Sequence, residues 1–322
     1  MHNYSDVLTI AQLSAEEFGY LLSSAAVQRT VKETPLAGKN LALVFEKPSL
    51  RTRVTFEVAI RQLGGYPIIL GSEVSRLGER ETISDVARNL SLWVDGIVAR
   101  VFRHVDLEEL ATFATIPVVN ALSDWEHPCQ ALADILTLTD VWNDLHGKKV
   151  VYVGDWNNVS RSLWKACGLV GFGFRAVCPK GYGPPEDEKV EWFTETDAVE
   201  GADAIYTDVW TSMGQEAETE ERCRIFRPYQ VNDALMAKTG RKTYFMHCLP
   251  AHRGLEVTDS VIDADYSLAF HQAANRLPAE KAILISVLEN HDEATSKEGG
   301  ARLFGRSGHF DHHPLAQRKL RM

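Results

Sequence analysis

Short apolar runs alternate with amphipathic segments along most of the chain, and the alternation restarts once, near the middle. The first series reads Leu41–Phe45, a helix from Ser49 to about Leu63, Pro67–Leu70, a helix around Ile83–Val94, Gly96–Val101, a helix near Leu107–Phe113, and Pro117–Val119. A long helix from about Pro128 to Leu145 leads to the second series. That series comprises Lys149–Val153, a helix over Val159–Val170, Phe174–Cys178, Ala204–Thr207, Thr243–His247 and Ser267–Phe270, with helical stretches near Val231–Lys238 and Val257–Ile262. A last amphipathic helix is predicted over Ala274–Leu288, and a capping box at Ser14 and Glu17 marks an early one. Strands separated by helices form parallel sheets covered on both faces. The expected fold is therefore α/β, two doubly wound parallel-sheet domains joined by long helices, and 322 residues suffice for two. In such sheets ligands collect at the carboxyl ends of the strands.

The most unusual stretch lies at the first of those ends, Phe45-Glu46-Lys47-Pro48-Ser49-Leu50-Arg51-Thr52-Arg53. Ser49 reads as the N-cap of the following helix. First-turn N–H groups have no intrahelical acceptor and carry the positive end of the helix dipole. Two hydroxyls (Ser49, Thr52) and two guanidinium groups (Arg51, Arg53) join them, which together make an oxyanion trap suited to a phosphate. The competing reading, an ordinary surface helix, leaves arginines opposing the dipole with nothing to compensate them. Net charge is −10, which argues against general nucleic-acid binding, so an anion site here is local and enclosed. No apolar run reaches membrane-spanning length and the amino terminus has no secretory pattern. The cysteines (Cys129, Cys167, Cys178, Cys223, Cys248) are odd in number and lack paired metal-ligand spacing, as expected of reduced thiols in a cytoplasm. After Leu288 the periodicity stops. Residues 291–322 read as a polar, flexible tail, in which His309, His312 and His313 are not taken as a metal site.

Other strand ends carry further polar groups. Arg100 closes one strand and needs an anionic or carbonyl partner, or a structural ion pair. In His127-Pro128-Cys129-Gln130 the proline fits the first helical position, placing His127 at the cap and Gln130 on the same side, a pair able to hold a small carbonyl or amide. Gly154-Asp155-Trp156-Asn157-Asn158 occupies a dinucleotide-binding position without the G-x-G-x-x-G spacing, so no nicotinamide cofactor is expected; its asparagines offer amides to a carboxylate. Asp208 can hold an amine, and Ser212 and the Met213 amide the other end of a small zwitterion. His247-Cys248-Leu249-Pro250 brings a thiol to the sheet edge, and Asn275-Arg276 adds a guanidinium. Four arginines for an anion (Arg51, Arg53, Arg100, Arg276), amides for a carboxylate and Asp208 for an amine suit group transfer from a phosphorylated donor to an amino acid.

The Ser-x-Arg-Thr-Arg, His-Pro-x-Gln, Asp-x-x-x-Ser-Met-Gly and His-Cys-Leu-Pro motifs occur in the order and spacing of the aspartate/ornithine carbamoyltransferase family. Over residues 1–290 the chain resembles its ornithine-specific members. The resemblance implies a carbamoyl-phosphate domain (1–135 plus 274–290), an ornithine domain (136–273), and a homotrimer or an assembly of trimers. It implies transfer of the carbamoyl group of carbamoyl phosphate to the side-chain amine of L-ornithine, with no metal and no organic cofactor. Ser49, Leu50, Arg51, Thr52 and Arg53 would hold the phosphate, and Arg76 would reach a neighbouring subunit's phosphate. Arg100, His127, Gln130 and Arg276 would surround the carbamoyl group, with the Leu249 carbonyl on its amide nitrogen. Asn158, Asp208, Ser212 and Met213 would hold ornithine, and Cys248 with Asp208 would place its amine. The alternatives are a sibling enzyme acting on putrescine, acylated ornithine or aspartate, and a catalytically silent ligand-binding paralogue. Three departures stand out: Leu50 where many members have threonine, Ala274 at a usual glutamate, which removes an expected partner of Arg276, and a tail beyond residue 290 with no counterpart in the family.

Overall fold

The computed structural model describes residues 5–71, 76–142, 144–211 and 216–303. After α1 (Ala15–Val27), whose N-cap Ser14 and Glu17 form the expected capping box, the chain enters β1 (Asn40–Phe45), α2 (Arg51–Gln62), β2 (Tyr66–Leu70), α3 (Ile83–Trp93), β3 (Gly96–Arg100), α4 (His104–Phe113) and β4 (Val118–Leu122). The connecting helix α5 (Pro128–Val141) leads to β5 (Lys149–Val153), α6 (Asn158–Leu169), β6 (Gly173–Val177), β7 (Trp192–Phe193) and β8 (Ala204–Thr207). Then follow α7 (Thr219–Phe226), α8 (Asp233–Ala237), β9 (Tyr244–His247), α9 (Asp259–Ile262) and α10 (Ala269–Leu303).

Among the described residues the strands form two wholly parallel sheets, ordered β2-β1-β3-β4 and β7-β6-β5-β8-β9. In the first, β1 leads outward to β2 and the chain then returns to β3 on the other side; in the second, β5 stands in the same relation to β6 and β8. Each sheet thus has a switch point, β1/β3 and β5/β8, where adjacent loops leave in opposite directions and open a crevice. Thr207 Oγ1 donates to the Val153 carbonyl (2.6 Å), tying β5 and β8 together at the second crevice.

The two sheets share one core. Leu43 and Val119 from the first, Val150, Tyr206 and Met246 from the second, and Leu132 and Ile135 of α5 belong to one continuous apolar cluster. α5 is buried along most of its length, and α10 returns from the second sheet to pack on α5, α1 and α2. The helices that join the sheets therefore also fix the walls between them.

Several boundaries differ from expectation. The N-cap of α2 is Leu50, already in the helical region (φ −77°, ψ −60°), so Ser49 lies one residue outside and caps nothing. α5 stops at Val141 because Trp142 turns extended and packs its ring against Phe172 and Tyr244. Ser267–Phe270 is not a strand: Ser267 makes an isolated bridge to Phe245, and α10 begins at Ala269. β7, two residues long, was too short to register as a separate run. α10 also continues to Leu303, past its expected end at Leu288, although the sequence beyond 288 is polar and carries Gly299 and Gly300. His309, His312 and His313 lie outside the described residues. No described helix is long and apolar enough to cross a membrane.

Candidate active site

The switch points face each other across a cleft of ≈ 740 Å³, lined by residues of both sheets. The first wall starts at α2. Val54 N donates to Leu50 O (3.1 Å), the first helical bond, so the amides of residues 51–53 have no partner within the helix. Ser49, Leu50, Arg51 and Thr52 line the cleft there, with Lys47 and Pro48 ahead of them. Arg53 does not. A helix turns about 100° per residue, so positions 51 and 53 point to nearly opposite sides; Arg53 is exposed and outside the cleft. The expected four-arginine cluster is thus three: Arg51, Arg100 and Arg276.

Those three crowd one another. Burial, then Arg276 and Arg51, push Arg100 down to about 10. Arg51 is lowered as well, by burial first and in part by Arg276. Burial with Arg276 and Arg100 holds His127 well below its usual value, so its imidazole is neutral. Arg100 Nε and His127 Nδ1 are buried and meet no hydrogen-bond partner among the described residues. Buried donors without partners are costly, so concentrated positive charge with unspent N–H groups marks an anion-binding wall. His127 sits at the cap of α5 with Pro128 in the first helical position, as expected, and its backbone N donates to Ser162 Oγ (2.8 Å).

A buried network fixes this wall from behind. Arg276 NH1 donates to Gln130 Oε1 (2.8 Å), and Gln130 Nε2 to Asp134 Oδ1 (2.8 Å). Gln272 Nε2 (2.8 Å) and the Tyr206 hydroxyl (3.0 Å) also donate to Asp134. Burial lifts the Asp134 carboxyl from 3.8 to about 6, against the pull of these donors. A raised folded-state value means the folded protein binds more protons than the unfolded chain between those two values, so this contribution to stability is present at low pH and lost as pH rises through about 6. Asp134→Asn keeps an acceptor for both glutamines and a donor for Tyr206. Relative to that variant, the parent is expected to lose on the order of 2–3 kcal/mol between pH 4 and pH 7.5, measured by urea denaturation at each pH.

The second wall comes from the β5 and β8 ends. Asn157 caps α6 through Oδ1, accepting from Val159 N (2.9 Å) and Ser160 N (3.1 Å), and its Nδ2 donates to Asp208 Oδ2 (3.0 Å). Asn158 lines the cleft and donates to the Ser123 carbonyl (2.7 Å). Asp208 Oδ1 accepts from Val209 N (2.8 Å) and the Cys248 thiol (3.0 Å). Burial, then the adjacent Asp208, raise the Cys248 thiol well above its usual value, so it keeps its proton. Leu249 adopts a left-handed conformation (φ 58°) with its N donating to His247 Nδ1 (2.8 Å), a strained backbone of the kind that persists at functional sites. Asp208, His247 and Cys248 each bring one donor atom within 4.8 Å of the others, but His247 Nδ1 and the thiol are committed to these hydrogen bonds.

Of the expected site residues, Ser49, Leu50, Arg51, Thr52, Arg100, His127, Gln130, Asn158, Asp208, Cys248, Leu249 and Arg276 share the cleft. Arg76 is exposed, outside it, and paired with Glu79 (2.9 Å). Ser212 and Met213 lie outside the described residues. Trp125, Arg161 and His252 line the cleft without having been singled out. Ala274 does not leave Arg276 unpartnered: Arg276 Nε (3.1 Å) and NH2 (2.6 Å) donate to Glu280 Oε1, and NH2 to Thr52 Oγ1 (3.1 Å). The i,i+4 spacing of Arg276 and Glu280 was visible in the sequence.

Comparison with known proteins bears on what the cleft holds. Residues 5–140 match the model of the carbamoyl-P binding domain of aspartate/ornithine carbamoyltransferases, and residues 146–287 that of the Asp/Orn binding domain. The ornithine carbamoyltransferase of Anoxybacillus flavithermus is 49% identical over 302 residues, covering 88% of this chain and 96% of that protein. The anabolic enzyme of Pyrococcus furiosus is 48% identical over 304 residues, with the same coverage of 88% and 96%. Among solved structures, ornithine carbamoyltransferase from Pyrococcus furiosus superposes with a TM-score of 0.83 at 47% identity, over 87% of this chain and 95% of that one. The Thermus thermophilus enzyme gives 0.82 at 44%, over 88% and 99%.

Proposed function

The chain belongs to the aspartate/ornithine carbamoyltransferase family, and we infer that it transfers the carbamoyl group of carbamoyl phosphate to the side-chain amine of L-ornithine, giving L-citrulline and phosphate. The observation that carries this reading is a single cleft with Arg51, Arg100 and Arg276 on one wall and Asp208 beside Cys248 on the other. One wall suits a dianion, the other an amine.

In this reading the donor phosphate sits on the first-turn amides of α2 with the Ser49 and Thr52 hydroxyls and Arg51. Its carbamoyl oxygen meets Arg100, His127, Gln130 and Arg276, and its amide nitrogen the Leu249 carbonyl. Ornithine lies along the second wall, its carboxylate end at Asn158, Ser212 and the Met213 amide, its side-chain amine between Asp208 and Cys248. An alkyl amine is mostly protonated near neutrality, with a reference pKa of about 10.4, and attacks only when neutral. Asp208 draws the ammonium in. Once it has given one proton to solvent, the nitrogen lone pair adds to the carbamoyl carbon. A C–N bond forms, the carbonyl becomes an oxyanion, and collapse breaks the bond to the phosphate oxygen, which leaves as phosphate and takes the second proton from the nitrogen. The arginines stabilise both developing anions, a contribution of roughly 3–4 kcal/mol per well-placed donor. Neutral His127 donates a hydrogen bond without adding charge, and the protonated Cys248 thiol positions the amine without forming a covalent bond.

Residues 1–135 with 274–290 form the donor domain of this proposal and residues 136–273 the ornithine domain. The chain works as a cytoplasmic homotrimer in arginine synthesis, in which Arg76, exposed on its own subunit, reaches a neighbour's phosphate site. Exposed Leu50, Val54, Trp93 and Phe102 on the donor domain support such an interface.

Phosphate release from carbamoyl phosphate, measured side by side with ornithine, putrescine and aspartate as acceptors, tests the substrate assignment. Ornithine is expected to be used with kcat/KM at least 100-fold above the others. Putrescine lacks the carboxylate for which Asn158 is placed, and aspartate meets the carboxylate of Asp208. Equal use of putrescine would move the assignment to a sibling enzyme.

A further inference from the structure

We propose that Glu280 is a positioning residue for carbamoyl transfer, holding the Arg276 guanidinium so that a single N–H of NH1 is presented to the donor. This deepens the reading of the cleft given above and rests on it.

The donor inventory is nearly closed. A guanidinium has five N–H groups. Nε–H goes to Glu280 Oε1, the two hydrogens of NH2 go to Glu280 Oε1 and Thr52 Oγ1, and one hydrogen of NH1 goes to Gln130 Oε1. One NH1 hydrogen remains, on a residue that lines the cleft. Because the guanidinium is planar, holding its Nε/NH2 edge on one carboxylate sets the direction of NH1 at the other end.

Glu280 supplies that edge contact from the next turn of the same helix, and both side chains are buried, at 3% and 0% exposure. Thr52 and Gln130 contact only one nitrogen each, so neither alone fixes the rotation of the group. Nor does the helix do so unaided: Pro278, between the two residues, has no N–H for the carbonyl of Ala274, leaving α10 without that bond where Arg276 sits. Glu280 is also the carboxylate paired with a guanidinium that repels Arg51 and Arg100. Glu280 does not line the cleft, so it touches no part of the proposed substrate position; its effect passes through the side chains it holds, Arg276 first and Thr55 of α2 after it.

A double-mutant cycle tests this with Glu280→Gln, which keeps size and an acceptor oxygen, and Arg276→Ala. Steady-state citrulline formation gives kcat and both KM values, and thermal melting shows that each variant is folded. In the parent background Glu280→Gln is expected to lower kcat about 10-fold or more while the ornithine KM stays within twofold. In the Arg276→Ala background the same substitution is expected to change kcat less than twofold. If turnover of Arg276→Ala falls below detection, the carbamoyl phosphate Kd from calorimetry carries the same cycle. An equal effect in both backgrounds would assign Glu280 to general stability, and no effect in the parent background would remove it from the reaction; either overturns the proposal. The parent's own turnover with ornithine, read in the same assay, tests the underlying assignment separately.

Discussion

Arg51→Ala is expected to lower kcat/KM for carbamoyl phosphate by two to three orders of magnitude while leaving the fold intact. The size follows from a charge-assisted contact to a dianion in a partly enclosed site, roughly 3–4 kcal/mol per well-placed donor. The intact fold follows from what Arg51 does without ligand. Burial first, and Arg276 in part, disfavour its charge, against attraction from the Cys248 and Asp208 side of the cleft, so little stability rests on it without ligand. The melting temperature should therefore hold or rise, whereas the stabilisation of the parent by added inorganic phosphate should shrink in the variant. Steady-state kinetics with carbamoyl phosphate varied, together with melting curves with and without phosphate, measure all three quantities. A fall in activity matched by a fall in melting temperature would place Arg51 in the structure rather than in the site.

Asp208→Asn is expected to act on the other substrate. Asp208 Oδ1 accepts from Val209 N and the Cys248 thiol, and Oδ2 from Asn157 Nδ2. Replacing Oδ2 with an amide removes the countercharge for an ammonium and sets two NH2 groups against each other at Asn157, whose own oxygen is committed to capping α6. The ornithine KM should rise about 100-fold or more. The carbamoyl phosphate Kd should stay within threefold, because among the described residues no hydrogen bond or ion pair joins Asp208 to α2 and it acts on Arg51 only at longer range, through its charge. Calorimetry with carbamoyl phosphate and kinetics with ornithine separate the two effects.

Much of this site was legible in the sequence because parallel sheets concentrate function at strand carboxyl ends. Arg100 at the end of β3, Asp208 after β8 and Cys248 after β9 fall where the alternation of elements places them. His127 and Gln130 were legible through helix geometry: Pro128 fixes the start of α5, and three residues bring the two to one face. Arg53 shows the same geometry neglected, since a two-residue step on a helix reverses direction. Ser267–Phe270 misled because Leu268 and Ala269 are both buried, and a short apolar run does not distinguish a strand from the first turn of a buried helix. The network behind the wall was harder to see. Asp134, Gln272 and Tyr206 lie far apart in the chain and meet only because α5 and α10 cross beneath β8 and β9. A local pattern carries no record of such a meeting.

If one cleft receives a phosphorylated carbamoyl donor at the β1/β3 switch point and a diamino acid at the β5/β8 switch point, both ligands must be seen there together. A crystal structure with carbamoyl phosphate and norvaline, which has the backbone of ornithine but no side-chain amine and so cannot react, tests this. Phosphate oxygens are expected on the amides and hydroxyls of residues 49–52 with Arg51 alongside, and the norvaline side chain is expected to end beside Asp208 and Cys248. Phosphate bound away from α2, or norvaline outside the cleft, would contradict it.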